Sequence, residues 1–144
     1  MILVDANLLL YAYHPRAELH ESSRAWLEAT LSGPQLVRFA WLTLWAFLRI
    51  STHRRVFERP LSASEAGAAV SSWLAQPGAG ILEPGERHWD ILQTLMKEGQ
   101  TTGPLVMDAA LAALAIEHGA TLHTTDRDFS RFPGLKWTNP LDVS

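Results

Sequence analysis

Short apolar runs alternate with longer amphipathic stretches along the chain, a pattern that predicts strands and helices in alternation. Gly-Pro and Pro-Gly pairs at 33–34 and 77–78 mark the ends of two of the predicted helices. The predicted strands cover 2–5, 36–40, 80–83, 122–125 and 135–137. The predicted helices cover 7–13, 19–31, 42–52, 86–98 and 108–118, and a further helix follows Ser62 and ends near Gln76.

This alternation predicts an α/β fold. A mostly parallel central sheet of four to five strands would carry helices on both faces, because parallel strands are joined by crossover helices. The length of 144 residues suits one domain, 1–144, with a sizeable core. Two helix ends are also marked: Ser62 and Glu65 have the spacing of a capping box, and Gly119 occupies a C-terminal capping position.

Aspartates stand where such a sheet would gather the ends of its strands. Asp5 closes the first predicted strand, Asp126 and Asp128 follow the fourth, and Asp108 opens an alanine-rich helix. Any one of them alone has an ordinary role, as a helix cap or in ordering a turn. Together they predict an acidic cluster at the carboxyl edge of the sheet, where open α/β sheets bind ligands. The carboxylates of such a cluster repel one another unless a cation or shared protons neutralise them, and a hard cation such as Mg²⁺ or Mn²⁺ is the obvious neutraliser.

Neutral and basic side chains complete the candidate chemistry. Asn7 and Thr125 supply neutral oxygens next to the acids, suited to positioning water or substrate. Arg49, Arg54 and Arg55 are candidates for contact with RNA phosphates, since the guanidinium group donates two parallel hydrogen bonds. The competing interpretation of these arginines is a solvated helix end and loop.

Composition narrows the function further. The formal net charge of −3 excludes a globally basic nucleic-acid binder. Cysteine is absent, which excludes disulfides and thiolate metal sites. No apolar run approaches the length of a membrane span, so we predict a cytoplasmic protein without membrane association. The tryptophans are predicted to lie in the core or at a dimer interface rather than to stack on bases; they occupy positions 26, 41, 45, 73, 89 and 137.

Three segments, in order, resemble the PIN domain family. The run MILVDANLLLYA at 1–12 is similar to the start of such a domain, and the segments 108–120 and 124–129 are similar to its second half. Segments 47–52 and 55–61 resemble one branch of the family, the VapC-type toxins of bacterial toxin–antitoxin pairs. The resemblance covers nearly the whole chain. It implies a Mg²⁺- or Mn²⁺-dependent endoribonuclease that is usually dimeric and is blocked by a VapB-like antitoxin.

The resemblance also implies residue roles. Asp5, Asp108 and Asp126 correspond to the acidic centre and its metal ligands, and Asp128 to a fourth catalytic acid. Many relatives place a glutamate at the position of Ala46, and a methyl group cannot bind a metal. A catalytically weak or inactive module that binds RNA or antitoxin is therefore the alternative function.

A further rival is an aspartyl phosphotransferase in which Asp5 attacks a phosphate. Such an enzyme usually needs a lysine near the acids, and Lys97 and Lys136 are the two lysines of the chain.

Overall fold

The computed structural model describes residues 1–142, and in it a five-stranded parallel sheet lies between two layers of helices. The strands are β1 (Ile2–Val4), β2 (Val37–Ala40), β3 (Ala79–Leu82), β4 (Thr121–His123) and β5 (Trp137–Thr138). The helices are α1 (Ala6–Ala12), α2 (His20–Leu31), α3 (Trp41–Ser51), α4 (Ala63–Leu74), α5 (His88–Glu98) and α6 (Leu105–His118), with a short 3₁₀ helix at Arg127–Arg131. The predicted α/β class and parallel sheet are confirmed. Positions 143–144 of the predicted domain lie outside the described residues.

The first strand lies at the centre of the sheet. The order is β3-β2-β1-β4-β5, and every pair of neighbours is parallel. Ile2 is paired with Val37 on one side and with Thr121 on the other. The chain thus adds β2 and β3 on one side of β1 and afterwards adds β4 and β5 on the other side. The gap between the ends of β1 and β4 is therefore a topological switch point, where sheets of this kind bind ligands.

Side chains of β1 alternate between two separate cores, as the period of a strand requires. Leu3 is fully buried among residues of β4, α5 and α6, including Leu95, Leu111 and Leu122. Ile2 and Val4 face the opposite side, where they join residues of α1 to α4. Helices therefore cover both faces of the sheet. Because both faces are buried, the strands are continuous apolar runs and do not alternate between apolar and polar residues.

Trp73 of α4 packs against three aromatic rings in the core that lies between the sheet and helices α1 to α4. Its ring lies 4.8 Å from that of Phe47, 5.6 Å from that of Tyr13 and 5.9 Å from that of Phe39, measured between centroids. Its indole N–H donates to the Tyr13 hydroxyl at 3.3 Å, which satisfies its polar atom. One side chain thus joins α1, β2, α3 and α4.

Two helix ends match their predicted caps. The Ser62 hydroxyl accepts from the Glu65 backbone N–H at 3.1 Å, and the Glu65 carboxylate accepts from the Ser62 N–H at 3.0 Å. Gly119 ends α6 with a φ of 67°, a left-handed conformation that other residues adopt at a cost.

The prediction for the start of α6 was wrong by one turn. The helix begins at Leu105 rather than at Asp108, so Asp108 is its fourth residue. Gly103 has a φ of 61° and Pro104 a φ of −59°, so the chain turns at the glycine and the proline ring already has helical geometry. Smaller differences affect β4, which ends at His123, and β5, which lies at Trp137–Thr138. Within residues 1–142, no helix is long and apolar enough to cross a membrane.

Candidate active site

Asp5 stands at the carboxyl end of the central strand and caps α1. Its Oδ1 accepts from the Ala6 backbone N–H at 2.8 Å, and its Oδ2 accepts from the Thr124 hydroxyl at 2.7 Å. The Asp5 N–H donates to the His123 carbonyl at 3.0 Å and so continues the pairing of β1 with β4. The carboxylate is therefore held in one orientation between the two strand ends. Burial raises its pKa, these hydrogen bonds oppose the rise, and the charge of Asp126 adds to it.

Thr124 is a site residue that sequence reasoning missed. It is fully buried, and its hydroxyl donates to Asp5 and accepts from the Asp126 backbone N–H at 3.0 Å. One hydroxyl thus fixes two of the predicted acidic residues relative to each other. The only signal in the sequence is its place beside Thr125, which gives no reason to prefer the first threonine over the second.

Asp126 and Asp128 lie at the start of the 3₁₀ helix. The Oδ1 atom of Asp126 accepts from the Asp128 backbone N–H at 2.9 Å, so Asp126 caps this short helix. The turn-ordering role considered from the sequence is therefore present for Asp126. It coexists with a position close enough to Asp5 and Asp108 for the carboxylate charges to interact.

Asp108 has the most perturbed environment of the four. Burial in the first turn of α6, followed by the negative charges of Asp126, Asp5 and Asp128, raises the pKa of Asp108 to about 6. The positive charge of Arg131 offsets part of this rise. Four carboxylates, from the residue after β1, the first turn of α6 and the segment after β4, thus lie close enough for their charges to influence Asp108.

Asn7 and Thr125 lie together, as their assignment as positioning residues requires. The Asn7 side-chain amide donates to the Thr125 hydroxyl at 2.8 Å. The Asn7 Oδ1 atom is buried and accepts no hydrogen bond from residues 1–142. A buried acceptor without a donor is costly, so this oxygen is available to a water molecule or a cation at the site.

A cleft of about 500 Å³ opens beside Asp5 and Asp108. Ala46 and Arg49 of α3 line it with them, so position 46 does face the acids, as the comparison with family glutamates implies. Arg54 and Arg55 lie beyond the end of α3, are exposed, and do not line the cleft. Of the three candidate arginines, the fold brings Arg49 alone to the acids.

The donor set fits a hard divalent cation in its chemistry. Asp5, Asp108 and Asp126 offer carboxylate oxygens and Asn7 offers an amide oxygen, the donors that Mg²⁺ and Mn²⁺ prefer. Burial raises the pKa of Asp108 most, and the charges of the neighbouring carboxylates raise it further, a repulsion that a bound cation would offset. The arrangement does not match this chemistry as fully, because within residues 1–142 no group of three or more histidine or acidic side chains is placed so that it could hold a metal ion.

Known proteins match this chain over nearly its whole length. A family model described as PIN domain matches residues 2–135. Ribonuclease VapC37 from Mycobacterium tuberculosis is 46% identical over 140 residues, which cover 97% of each chain. Ribonuclease VapC33 from the same species is 42% identical over 141 residues, covering 98% of this chain and 99% of the relative.

Solved structures share the fold at lower identity. VapBC2 from Rickettsia felis, bound to a DNA fragment from its promoter, has a TM-score of 0.69 at 18% identity and covers 96% of this chain and 98% of its own. Mycobacterium tuberculosis VapC20, described as a Sarcin-Ricin loop cleaving toxin, has a TM-score of 0.66 at 18% identity, covering 94% and 99%.

Proposed function

This chain belongs to the PIN domain family, and from that premise we propose that it is a VapC-type endoribonuclease toxin that hydrolyses RNA phosphodiester bonds with Mg²⁺ or Mn²⁺. The relatives named Ribonuclease VapC, which match nearly its whole length, support the activity. The observation that carries the metal dependence is the convergence of Asp5, Asp108 and Asp126 on one edge of the sheet, with a pKa of about 6 for Asp108.

We assign different roles in hydrolysis to the acidic side chains of the cleft. Asp5 and Asp108 would offer the carboxylates that hold the cation, and Asp126 and Asp128 would complete its shell or orient the attacking water. The bound cation supplies a Lewis acid that activates water and neutralises charge on the phosphate. Thr124 keeps Asp5 in the required orientation through its 2.7 Å hydrogen bond.

Two neutral residues and one arginine act on the substrate side. The Asn7 oxygen, which has no donor among residues 1–142, positions water or substrate next to Thr125. Arg49 lines the cleft and binds the RNA phosphate. Arg54 and Arg55 are exposed and do not line the cleft, and we assign them to the RNA backbone outside it.

The aspartyl phosphotransferase is disfavoured by the surroundings of Asp5. Both of its oxygens already accept hydrogen bonds, from Ala6 and Thr124, which makes the carboxylate a poorer nucleophile. Neither Lys97 nor Lys136 lines the cleft beside Asp5. The weakly active binding module keeps one observation in its favour, because Ala46 leaves a methyl group on the cleft wall where many relatives carry a carboxylate.

The partner that fits this protein is a VapB-like antitoxin. Solved structures named VapBC, from Rickettsia felis and Salmonella typhimurium among others, support this assignment. The acidic cleft favours an antitoxin that inserts an arginine or lysine against Asp5 and Asp108, since a cationic donor satisfies the crowded carboxylates. We also propose that the chain forms a homodimer and acts in the cytoplasm.

The test uses antitoxin-free protein and structured RNA, with Mn²⁺ in one arm and EDTA in the other. We expect cleavage with Mn²⁺ and none with EDTA, and loss of cleavage in Asp5→Asn. The matched control is Asp90→Asn, because Asp90 is an exposed aspartate in the first turn of α5, outside the cleft. Cleavage that continues at the same rate in EDTA contradicts the metal dependence. RNA binding without cleavage in any metal favours the binding module instead.

A further inference from the structure

The cleft beside the acids has a second wall of a different character. Leu42, Trp45 and Met107 line it together with Asp5 and Asp108. Trp45 is 62% exposed and Met107 is 54% exposed, although both are large apolar side chains. Exposed apolar side chains beside charged ones in a cleft are typical of a binding site, where they contact the apolar part of a ligand.

The indole of Trp45 is restrained even though it is exposed. Trp41 precedes it by one helical turn, and the two rings are stacked with centroids 6.4 Å apart and an angle of 23° between their planes. The helix that carries them is anchored by Leu44 and Phe47, which are fully buried. Trp45 therefore presents a flat surface that the neighbouring ring of Trp41 partly orders, which lowers the entropic cost of binding.

Arg49 extends this surface with a positive charge. It lies four residues after Trp45 on α3, so both side chains project from the same side of the helix into the cleft. Its guanidinium forms no hydrogen bond or ion pair with any residue in 1–142 that would compete with a ligand. An aromatic face followed by an unoccupied guanidinium matches the base and the phosphate of one nucleotide.

We propose that Trp45 stacks on an unpaired RNA base next to the phosphate that is cleaved, and that it thereby selects single-stranded or looped RNA over duplex RNA. The inference rests on the proposed function for the identity of the ligand. Bases inside a duplex have both faces covered by their neighbours, so an unstacked base is required to contact the indole. The proposal gives Trp45 a role in substrate binding, whereas the sequence alone predicts the tryptophans in the core or at a dimer interface.

A second copy of this chain is the competing occupant of the same wall. A dimer interface here would cover Arg49 and the carboxylates of Asp5 and Asp108 along with Trp45, and burying charges without partners is costly. A nucleotide satisfies both parts of the cleft, because its base contacts the indole and its phosphate pairs with the guanidinium. The mixed chemistry of the cleft therefore favours RNA.

The test measures RNA binding apart from cleavage. All variants are made in the Asp108→Asn background and assayed in EDTA, so that no cleavage occurs and one carboxylate no longer repels the RNA. The probes are a fluorescein-labelled oligouridylate, free or paired with oligoadenylate. We expect Trp45→Ala to weaken single-strand binding by about fivefold to about a hundredfold, the range found for removal of one stacked base. Trp45→Phe should restore most of the affinity, and neither change should affect duplex binding.

The matched control is Trp89→Ala, because Trp89 is 61% exposed on α5 and does not line the cleft. It should bind both probes like the reference protein. Equal affinity of Trp45→Ala for the single strand overturns the inference, as does an equal loss for duplex. A third result would also overturn the inference: light scattering shows that Trp45→Ala forms a smaller assembly, while its RNA affinity per protomer is unchanged. Such a result would mean that this wall of the cleft contacts a second copy of the chain.

Failure of the inference is distinguishable from failure of the proposed function. If the wild type cleaves RNA with Mn²⁺ but Trp45→Ala binds the single strand normally, the inference is wrong and the function stands. If single-strand binding depends on Trp45 but no metal supports cleavage, the proposed hydrolysis is wrong, and only the stacking of Trp45 on an unpaired base stands.

Discussion

Replacement of Asp108 by asparagine should make the metal-free protein more stable at neutral pH. Burial and the charges of Asp126, Asp5 and Asp128 raise the pKa of Asp108 to about 6, from an ordinary value near 3.9. Because the folded state favours the protonated carboxyl, stability is lost as the pH rises from about 4 to about 6, and the full penalty remains above that. Asparagine has the same shape and carries no charge, so it avoids the penalty.

The magnitude follows from the pKa difference of Asp108. At 1.36 kcal/mol per pKa unit the penalty is about 3 kcal/mol, and partial exposure of the side chain reduces this to about 1–2 kcal/mol. Loss of the favourable interaction of the carboxylate with the N-terminus of α6 subtracts about 0.3–1 kcal/mol. The net gain is on the order of 1 kcal/mol, or roughly 3–4 °C in melting temperature for a domain of this size.

The assay is urea unfolding of both proteins in EDTA at pH 4 and at pH 8. The stabilities should differ at pH 8 in favour of Asp108→Asn, and most of this difference should be lost at pH 4, where the carboxyl is protonated in the folded state and about half protonated in the unfolded state. Asp90→Asn is the control, since Asp90 also lies in the first turn of a helix and reports the helix-end effect alone.

Addition of Mn²⁺ completes the experiment. A cation that binds only the folded state stabilises it by about 2.7 kcal/mol at a hundredfold excess over Kd. The wild type should show this gain, and Asp108→Asn should lose most of it. If Asp108→Asn is less stable than wild type in EDTA at pH 8 yet responds to Mn²⁺ as strongly, then Asp108 is a structural residue of α6 and the reasoning is refuted.

Three further changes probe the cleft, its support and the core. Ala46→Glu should bind Mn²⁺ more tightly by calorimetry, because the side chain lines the cleft; unchanged affinity would mean that a carboxylate at this position does not reach the ion. Thr124→Val should lower the free energy of unfolding in urea by about 1–3 kcal/mol and slow RNA cleavage, since Asp5 and the Asp126 N–H each lose a partner, whereas Thr124→Ser should retain both properties. Trp73→Ala should cost about 3–5 kcal/mol of unfolding free energy by the same method, and a loss below 1 kcal/mol would mean that the aromatic cluster does not support the core.

Strand-end reasoning located Asp5 and Asp126 because it depends on local sequence alone. A buried strand is recognisable from three or four apolar residues, and the residue that follows it must lie at the edge of a parallel sheet. The position of Asp108 in its helix could not be found in this way. The helix begins one turn earlier, directly after the turn at Gly103 and Pro104. The sequence correctly predicted that Asp108 belongs to helix α6, but wrongly predicted that it is the first residue of that helix.

Thr124 and Trp45 could not be assigned from sequence, for different reasons. The hydroxyl of Thr124 matters because β4 lies beside β1, which brings it within 2.7 Å of a carboxylate 119 positions away. Trp45 belongs to a helix that is apolar nearly all round, where periodicity does not separate a buried face from an exposed one. The fold buries Leu44 and Phe47 of that helix and leaves Trp45 in the cleft.

The sequence by itself determined which segments are strands and helices, where most of them end, and that acids follow the strands. These are local properties, set by hydrophobic period and by the conformations of residues such as Gly119. Only the tertiary structure decided that β1 is central, that Asn7 meets Thr125, and that four carboxylates perturb one another. Pairing and charge coupling depend on distances between residues far apart in the chain, and those distances exist only after the sheet has formed.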